Sequence, residues 1–353
     1  MSLKEKTILI TGGTGSLGKV LTRRILSNEM GKPKKIIIFS RDEAKQHEMR
    51  LKYKNKTIAT DEIIYHNFEE LVEFRIGDVR EYHSVASAAR DADIIFNAAA
   101  LKQVPSCEYF PYEAVQTNIT GPENIVRAIR ENNLKVETVV GISTDKACKP
   151  VNVMGMTKAI QERIFITANL SCKSTRFICA RYGNVLASRG SVIPLFHEQI
   201  KNGGPITITA KEMTRFLLSL DDAVDVIFSA VEEANKGEIY IPRVPSANVV
   251  DIATILKGDR PVSTKTIGIR PGEKVHEILI SDEECHRTVE RDKYYAIKPI
   301  IPELISKSDE RIALTREYSS ADNIMTIDAL LQLFTKYRLF INDNALSGEE
   351  ILR

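Results

Sequence analysis

The feature that most constrains the fold is the run Thr11-Gly12-Gly13-Thr14-Gly15-Ser16-Leu17-Gly18, which follows the apolar stretch 7–10 and opens a helical pattern over 17–27. Strand, glycine turn and helix in that order form the start of a dinucleotide-binding βαβ unit. Glycine permits the tight turn and lets backbone approach a pyrophosphate, while the helix amino terminus offers free N–H groups and the positive end of its dipole. The spacing alone would suit any flexible turn. Its flanking strand and helix point to a cofactor, with Gly12, Thr14, Gly15, Ser16, Leu17 and Gly18 as contacts.

The same alternation continues down the chain. Apolar runs at 7–10, 35–39, 71–76, 93–97, 136–142 and 176–180 read as strands. Residues 17–27, 42–54, 83–90, 111–130 and 152–169 repeat apolar side chains at spacings of three and four. This βαβα order predicts an α/β fold with a doubly wound parallel sheet, whose chemistry gathers on the rim where the strands end. At 353 residues the chain exceeds the size at which one core usually divides. Glycines and prolines multiply after Arg181, so 1–180 is expected to bind the cofactor and 181–300 to form a smaller substrate lobe. Within that lobe 221–241 is expected to return a helix and strand to the main sheet, leaving 301–353 as a tail with an amphipathic helix at 326–337.

Composition narrows the partners. A net charge of +2 gives no support to a nucleic-acid or polybasic membrane partner. No apolar stretch is long enough to span a bilayer and the start lacks a signal-peptide pattern, so a cytoplasmic location is expected. Cys107, Cys148, Cys172, Cys179 and Cys285 include no C-x-x-C pair, and free thiols without a metal site are expected.

The end of the second strand separates NADP from NAD. It carries Phe39-Ser40-Arg41-Asp42, with Lys45 one turn further on. Ser40 and the guanidinium fork of Arg41 suit a 2′-phosphate, which predicts NADP. In the alternative, Ser40 caps the next helix and Asp42 accepts from the ribose of NAD.

The fifth strand runs into Ser143-Thr144-Asp145-Lys146 at the expected rim, and Met154-Gly155-Met156-Thr157-Lys158 opens the following helix. Met154 and Lys158 share one helix face. The pattern resembles the Y-x-x-x-K of short-chain dehydrogenases/reductases, in which the lysine holds the nicotinamide ribose and the tyrosine takes the proton. Here the tyrosine position is Met154, whose thioether cannot ionise.

Further motifs narrow the likeness: Gly77-Asp78-Val79-Arg80, the run from Asn97 to Pro105, Thr144-Asp145-Lys146, Arg181-Tyr182-Gly183-Asn184-Val185, Met213-Thr214-Arg215-Phe216, and Arg270-Pro271-Gly272-Glu273-Lys274-Val275-His276-Glu277. Together they resemble the UDP-N-acetylglucosamine 4,6-dehydratases, most closely the inverting, 5-epimerising branch of capsule and O-antigen biosynthesis. That resemblance implies that Asp78, with Val79 beside it, contacts the adenine and that Asn97, Ala98 and Ala99 line the cofactor. It also implies that Thr144 bonds a sugar hydroxyl, that Lys102, Asn184, Arg215, Arg270 and Glu273 hold the UDP-sugar, and that the protein is a homo-oligomer.

A 4,6-dehydratase needs two titrating groups with different tasks. Asp145 is expected to be the acid for water loss and Lys146 the base at carbon 5, its pKa lowered from about 10.4 by burial and by Lys158. Lys146, Asp145 or a water is left to deprotonate the 4-hydroxyl. Two other readings stand beside this one. A 4-epimerase or reductase of the same fold would leave the carbon 6 oxygen in place, and a silent NADP-binding scaffold would have no need of a matched acid and base.

Overall fold

The computed structural model describes residues 2–55, 62–186, 191–269, 272–305 and 310–341. Six parallel strands, β1 (Thr7–Thr11), β2 (Lys35–Ser40), β3 (Val72–Ile76), β4 (Ile94–Asn97), β5 (Thr138–Thr144) and β6 (Arg176–Tyr182), lie in the order β3-β2-β1-β4-β5-β6. All of β1 and β4 is buried, as is β2 after Lys35. That is why they read as unbroken apolar runs: a parallel sheet is covered by helices on both faces. Between them come α1 (Ser16–Leu26), α2 (Glu43–Lys54), α3 (Glu62–Leu71) and α4 (Tyr82–Ala89). The strand order reverses between β1 and β4, and a crevice opens there.

The sheet continues past β6. Strand Ile239–Pro242 pairs parallel to β6, and a hairpin of Thr288–Arg291 and Tyr294–Ile297 adds two antiparallel strands, making nine. The hairpin falls in the stretch expected to be substrate lobe and instead extends the main sheet. Its two-residue turn at Asp292-Lys293 uses Asp292 at φ 50° in place of a glycine, so the usual turn signal is missing. α3 also lay outside the sequence reading.

Between Pro242 and Thr288 the chain makes an excursion that helps build a second apolar core. Phe196, Ile206, Leu217, Ile252 and Leu256 meet Leu330 and Phe334 there. Helix Ile327–Lys336 therefore packs into this core through its apolar stripe. Residues 111–130, expected as one helix, form Pro111–Val115, a π-helical turn Gln116–Thr120 and Gly121–Glu131. No helix among the described residues is long and apolar enough to cross a membrane.

Candidate active site

At the crevice, a cleft of about 1430 Å³ runs from the glycine turn to Glu277. β1 delivers the chain into Gly12 at φ 66°, where a Cβ would lie 2.8 Å from the Ala99 backbone at the end of β4. A Cβ at Gly18 would lie 2.5 Å from the Gly13 backbone. Both positions exclude a side chain, and the main chain itself lines the turn. Gly15 caps α1 without a side-chain bond, and the first turn, which contains Ser16 and Leu17, has no acidic residue. Its first N–H groups are thus left for an anion.

Asn97 ends β4 with its Oδ1 accepting from Thr11 Oγ1 at 2.8 Å, while its buried Nδ2 has no partner. Ala98 and Ala99 line the same cleft. An orphan donor beside a cradle that admits only glycine fits a dinucleotide.

The end of β2 sorts its candidates. Thr14 donates to Ser40 at 3.1 Å, tying the cradle to β2. Asp42 accepts from the Lys45 backbone at 3.0 Å, and its carboxylate meets Lys45 Nζ at 2.7 Å. Asp42 is thereby the cap of α2, and this pair is engaged with itself. Arg41 is 58% exposed, with Asp78 as a carboxylate neighbour at 3.8 Å. Asp78 in turn binds Arg80 through Nε at 2.9 Å and NH2 at 2.7 Å. Burial works to raise the Asp78 carboxyl, but these bonds prevail and hold it below its ordinary value. Val79 lies beside it, buried.

The charged floor lies where β5 ends. Thr144 Oγ1 caps the short turn Asp145–Ala147 and donates to Asp145 Oδ1 at 2.7 Å. Asp145 is buried, and Lys146 Nζ lies 3.2 Å from both of its oxygens and 3.0 Å from Asn184 Oδ1. Glu277 approaches Lys146 Nζ at 3.8 Å from the other side and Arg215 Nε at 3.4 Å. The Asn184 amide also donates to Glu277. This corrects one expectation. Burial does work to lower Lys146, but the charges of Asp145 and Glu277 outweigh it and raise its pKa above the ordinary value.

Burial does depress Lys158, to about 8. Its Nζ donates to the Ile142 carbonyl at 2.5 Å and to Gln161 at 2.6 Å. Asn152 caps its helix, Val153–Ser171, through a bond from Gly155 N at 2.8 Å. On the same helix Met154 packs with Cys107 and Ala114 and faces the cleft. Behind it Arg181 is fully buried between Glu162 and Glu284, at 2.7 Å from each. The Arg181 motif thus contributes an internal brace as well as Asn184.

On the substrate side, Lys102, Asn184, Arg215 and Glu273 all line the cleft, and Glu273 Oε2 is buried without a partner. Arg270 lies outside the described residues. Among the cleft residues to which the sequence analysis gives no role are Glu277 and Thr117. Glu277 closed a quoted motif, yet nothing in the motif shows that it meets Lys146. Thr117 sits on the π-helical turn with its buried hydroxyl unpartnered, a backbone irregularity of a kind frequent at functional sites. Among the described residues no cluster of His, Cys, Asp or Glu could hold a metal, and all five cysteines are free and buried.

A doubly wound sheet, a glycine cradle and a helix carrying Met154 and Lys158 face one cleft, which is the fold of the extended short-chain dehydrogenases/reductases. The DesIV structure, a dTDP-glucose 4,6-dehydratase from Streptomyces venezuelae, shares this fold at 18% identity, with a TM-score of 0.64 over 76% of this chain and 86% of that one. Residues 8–299 match the family described as polysaccharide biosynthesis protein, and the chain belongs to that family. It is 45% identical over 84% of both chains to a UDP-N-acetylglucosamine 4,6-dehydratase (inverting) of Campylobacter jejuni. It is 43% identical to a UDP-glucose 4-epimerase of Rickettsia bellii, covering 90% of this chain and 91% of that one. The X-ray structure of Pen from Bacillus thuringiensis matches at 33% identity and a TM-score of 0.84, over 96% of this chain and all (100%) of that one.

Proposed function

We propose that this protein catalyses the 4,6-dehydration of UDP-N-acetylglucosamine with NADP, inverting carbon 5 to give a UDP-4-keto-6-deoxy-L-hexosamine for capsule or O-antigen synthesis. The observation that carries the proposal is the Asp145–Lys146 pair on the floor of a dinucleotide-sized cleft. Epimerisation at carbon 4 needs one group to take and return a hydroxyl proton. Dehydration needs in addition a base at carbon 5 and an acid at the carbon 6 oxygen.

Gly12, Thr14, Gly15 and Gly18 with Asn97 would hold the dinucleotide, Arg41 and Ser40 its 2′-phosphate, and Lys158 its nicotinamide ribose. The bound cofactor supplies a hydride acceptor for carbon 4 and a hydride donor for carbon 6. Thr144 already donates to Asp145, so a proton leaving the 4-hydroxyl reaches the carboxyl through one hydroxyl, without a tyrosine. Asp145 then gives that proton to the departing carbon 6 oxygen, and Lys146 removes the proton at carbon 5. A solvent water on the face opposite Lys146 then protonates carbon 5, and Lys146 releases the proton it took to solvent, which gives the inversion. Met154 supplies an apolar wall beside the reacting carbons, while Lys102, Asn184, Arg215 and Glu273 hold the UDP-sugar. Self-association belongs to the same reading, and Phe110, Tyr112 and Met156 are among the exposed large apolar side chains.

The Rickettsia relative favours a second reading, 4-epimerisation of a UDP-hexose. Incubation with UDP-N-acetylglucosamine and, in parallel, with UDP-glucose separates the two. Loss of one water by mass spectrometry supports dehydration, a new epimer of unchanged mass supports the second reading, and untouched substrate in an NADP-loaded protein refutes both.

A further inference from the structure

If Lys146 is the base at carbon 5, as the dehydratase reading holds, its ammonium must first lose a proton, yet its surroundings favour the charged form. Asp145 lies 3.2 Å from Nζ on one side and Glu277 3.8 Å on the other. Asp145 has its own task at the carbon 6 oxygen. Glu277 is 4% exposed, one of its oxygens has no partner, and it sits at the inner end of the cleft. Asn184 spans the pair, accepting from Lys146 through Oδ1 and donating to Glu277 through Nδ2. A gap of 3.8 Å exceeds a hydrogen bond and is closed by a bridging water or a small turn of the lysine side chain.

We propose that Glu277 is the proton partner of Lys146, taking the ammonium proton and so freeing the amine to act on carbon 5. In this step one N–H bond of the ammonium breaks, its electron pair stays on nitrogen, and an O–H bond forms on the Glu277 carboxylate. The ion pair becomes a neutral pair and no proton leaves the cluster. The freed lone pair then takes the carbon 5 proton.

The groups facing Glu277 permit this exchange. Lys146 and Asp145 face it from the turn after β5, Arg215 from strand Thr214–Phe216, and Lys274 acts on it from its own segment. The neighbouring His276 turns away to Thr214. Burial, and then the charge of Asp145, push the Glu277 carboxyl up to about 7. A carboxyl in that range accepts a proton from an amine far more readily than an exposed one.

The test is the pH dependence of dehydration and of carbon 5 exchange with deuterated solvent, for wild type, Glu277→Gln and Glu277→Asp. In wild type the reactive pair holds as many protons as the resting ion pair, so the acid limb follows Glu277 and falls near neutrality. In Glu277→Gln the proton must go to solvent from a lysine still held by Asp145. The acid limb is expected to move to alkaline pH by about one unit or more, with exchange at neutral pH down about tenfold or more. kcat should fall more than KM rises, and Glu277→Asp should bring the limb back. An unmoved limb overturns the proposal. So does a limb moved to acid pH, which would mean that Glu277 only raises the basicity of Lys146. A wild-type enzyme that releases no water overturns the dehydratase reading and this proposal with it, whereas an active wild type with an unmoved limb overturns this proposal alone. If Glu277→Gln does not fold, infrared difference spectra of wild type on substrate binding decide the matter. A carboxylic-acid band should appear above neutral pH and shift in frequency in Glu277→Asp, which separates it from Asp145; the absence of such a band overturns the assignment.

Discussion

Around Gly12 the cleft is shaped by main chain that a short stretch of sequence contains whole, whereas around Lys146 it is shaped by side chains from segments far apart in the chain. The cradle needs glycines with φ near 66° or without room for a Cβ, and no neighbour has to carry a charge. The floor needs Lys146 at 3.0 Å from Asn184, 3.2 Å from Asp145 and 3.8 Å from Glu277, with Glu277 also bound by Asn184 and 3.4 Å from Arg215. The first kind of site tolerates almost any side chains that keep the turn. The second depends on how five charged or polar groups share protons, and exchanging one changes the rest.

The sharpest attack on this contrast is at the floor. Lys146→Ala should lower carbon 5 exchange by about a hundredfold to ten-thousandfold, the usual range for a lost acid–base group, while leaving nucleotide binding nearly intact. Exchange in deuterated solvent checks it, and an unchanged rate would move the base elsewhere. At the cradle, Gly12→Ala should cost about 1–3 kcal/mol of stability through backbone strain and should abolish cofactor retention, although no charge changes. Denaturant melts and bound-cofactor analysis would show it; a variant that still holds cofactor would deny that main chain forms the site.

Arg41→Ala should weaken NADP binding by about tenfold and NAD binding hardly at all, because only NADP carries the 2′-phosphate. Equal losses in calorimetric titration would remove Arg41 from that role. The smallest effect is expected at the seam between the two regions. Met154→Leu keeps volume among Cys107 and Ala114, so it should cost less than about 1.5 kcal/mol and keep most of the dehydration rate. A folded, cofactor-loaded but inactive Met154→Leu enzyme would give the sulfur a chemical part.

The contrast also explains what was legible in the sequence. β1, β2 and β4 could be read because strands buried on both faces must be apolar throughout, and the cradle because Gly12, Gly15 and Gly18 recur every third residue in one short run. NADP-site candidates were harder to sort. Asp42 and Lys45 look like ligands in a linear reading, yet they pair as a helix cap, which only the folded α2 reveals. The protonation of Lys146 is not legible in the sequence because the sequence shows its burial but not Glu277 brought beside it, which with Asp145 raises its pKa. The hairpin at 288–297 went unseen because Asp292 takes the turn position that glycine usually marks.

The excursion that leaves the sheet at Pro242 and rejoins it at Thr288 has a further consequence. Its two ends are held at one end of the sheet, by Ile239–Pro242 inside it and Thr288–Arg291 at its edge, so the stretch behaves as an exchangeable cassette. Loop-closure cost grows only slowly with length, and such a cassette can be lengthened or recast while the sheet keeps its register. Glu273 and Glu277 ride on it, whereas the glycine cradle does not. On the proposed function, inherited change can therefore reach the sugar side and the charged floor without disturbing the glycine cradle. That gives a material route by which relatives at 43% and 45% identity to one chain carry the names of different reactions.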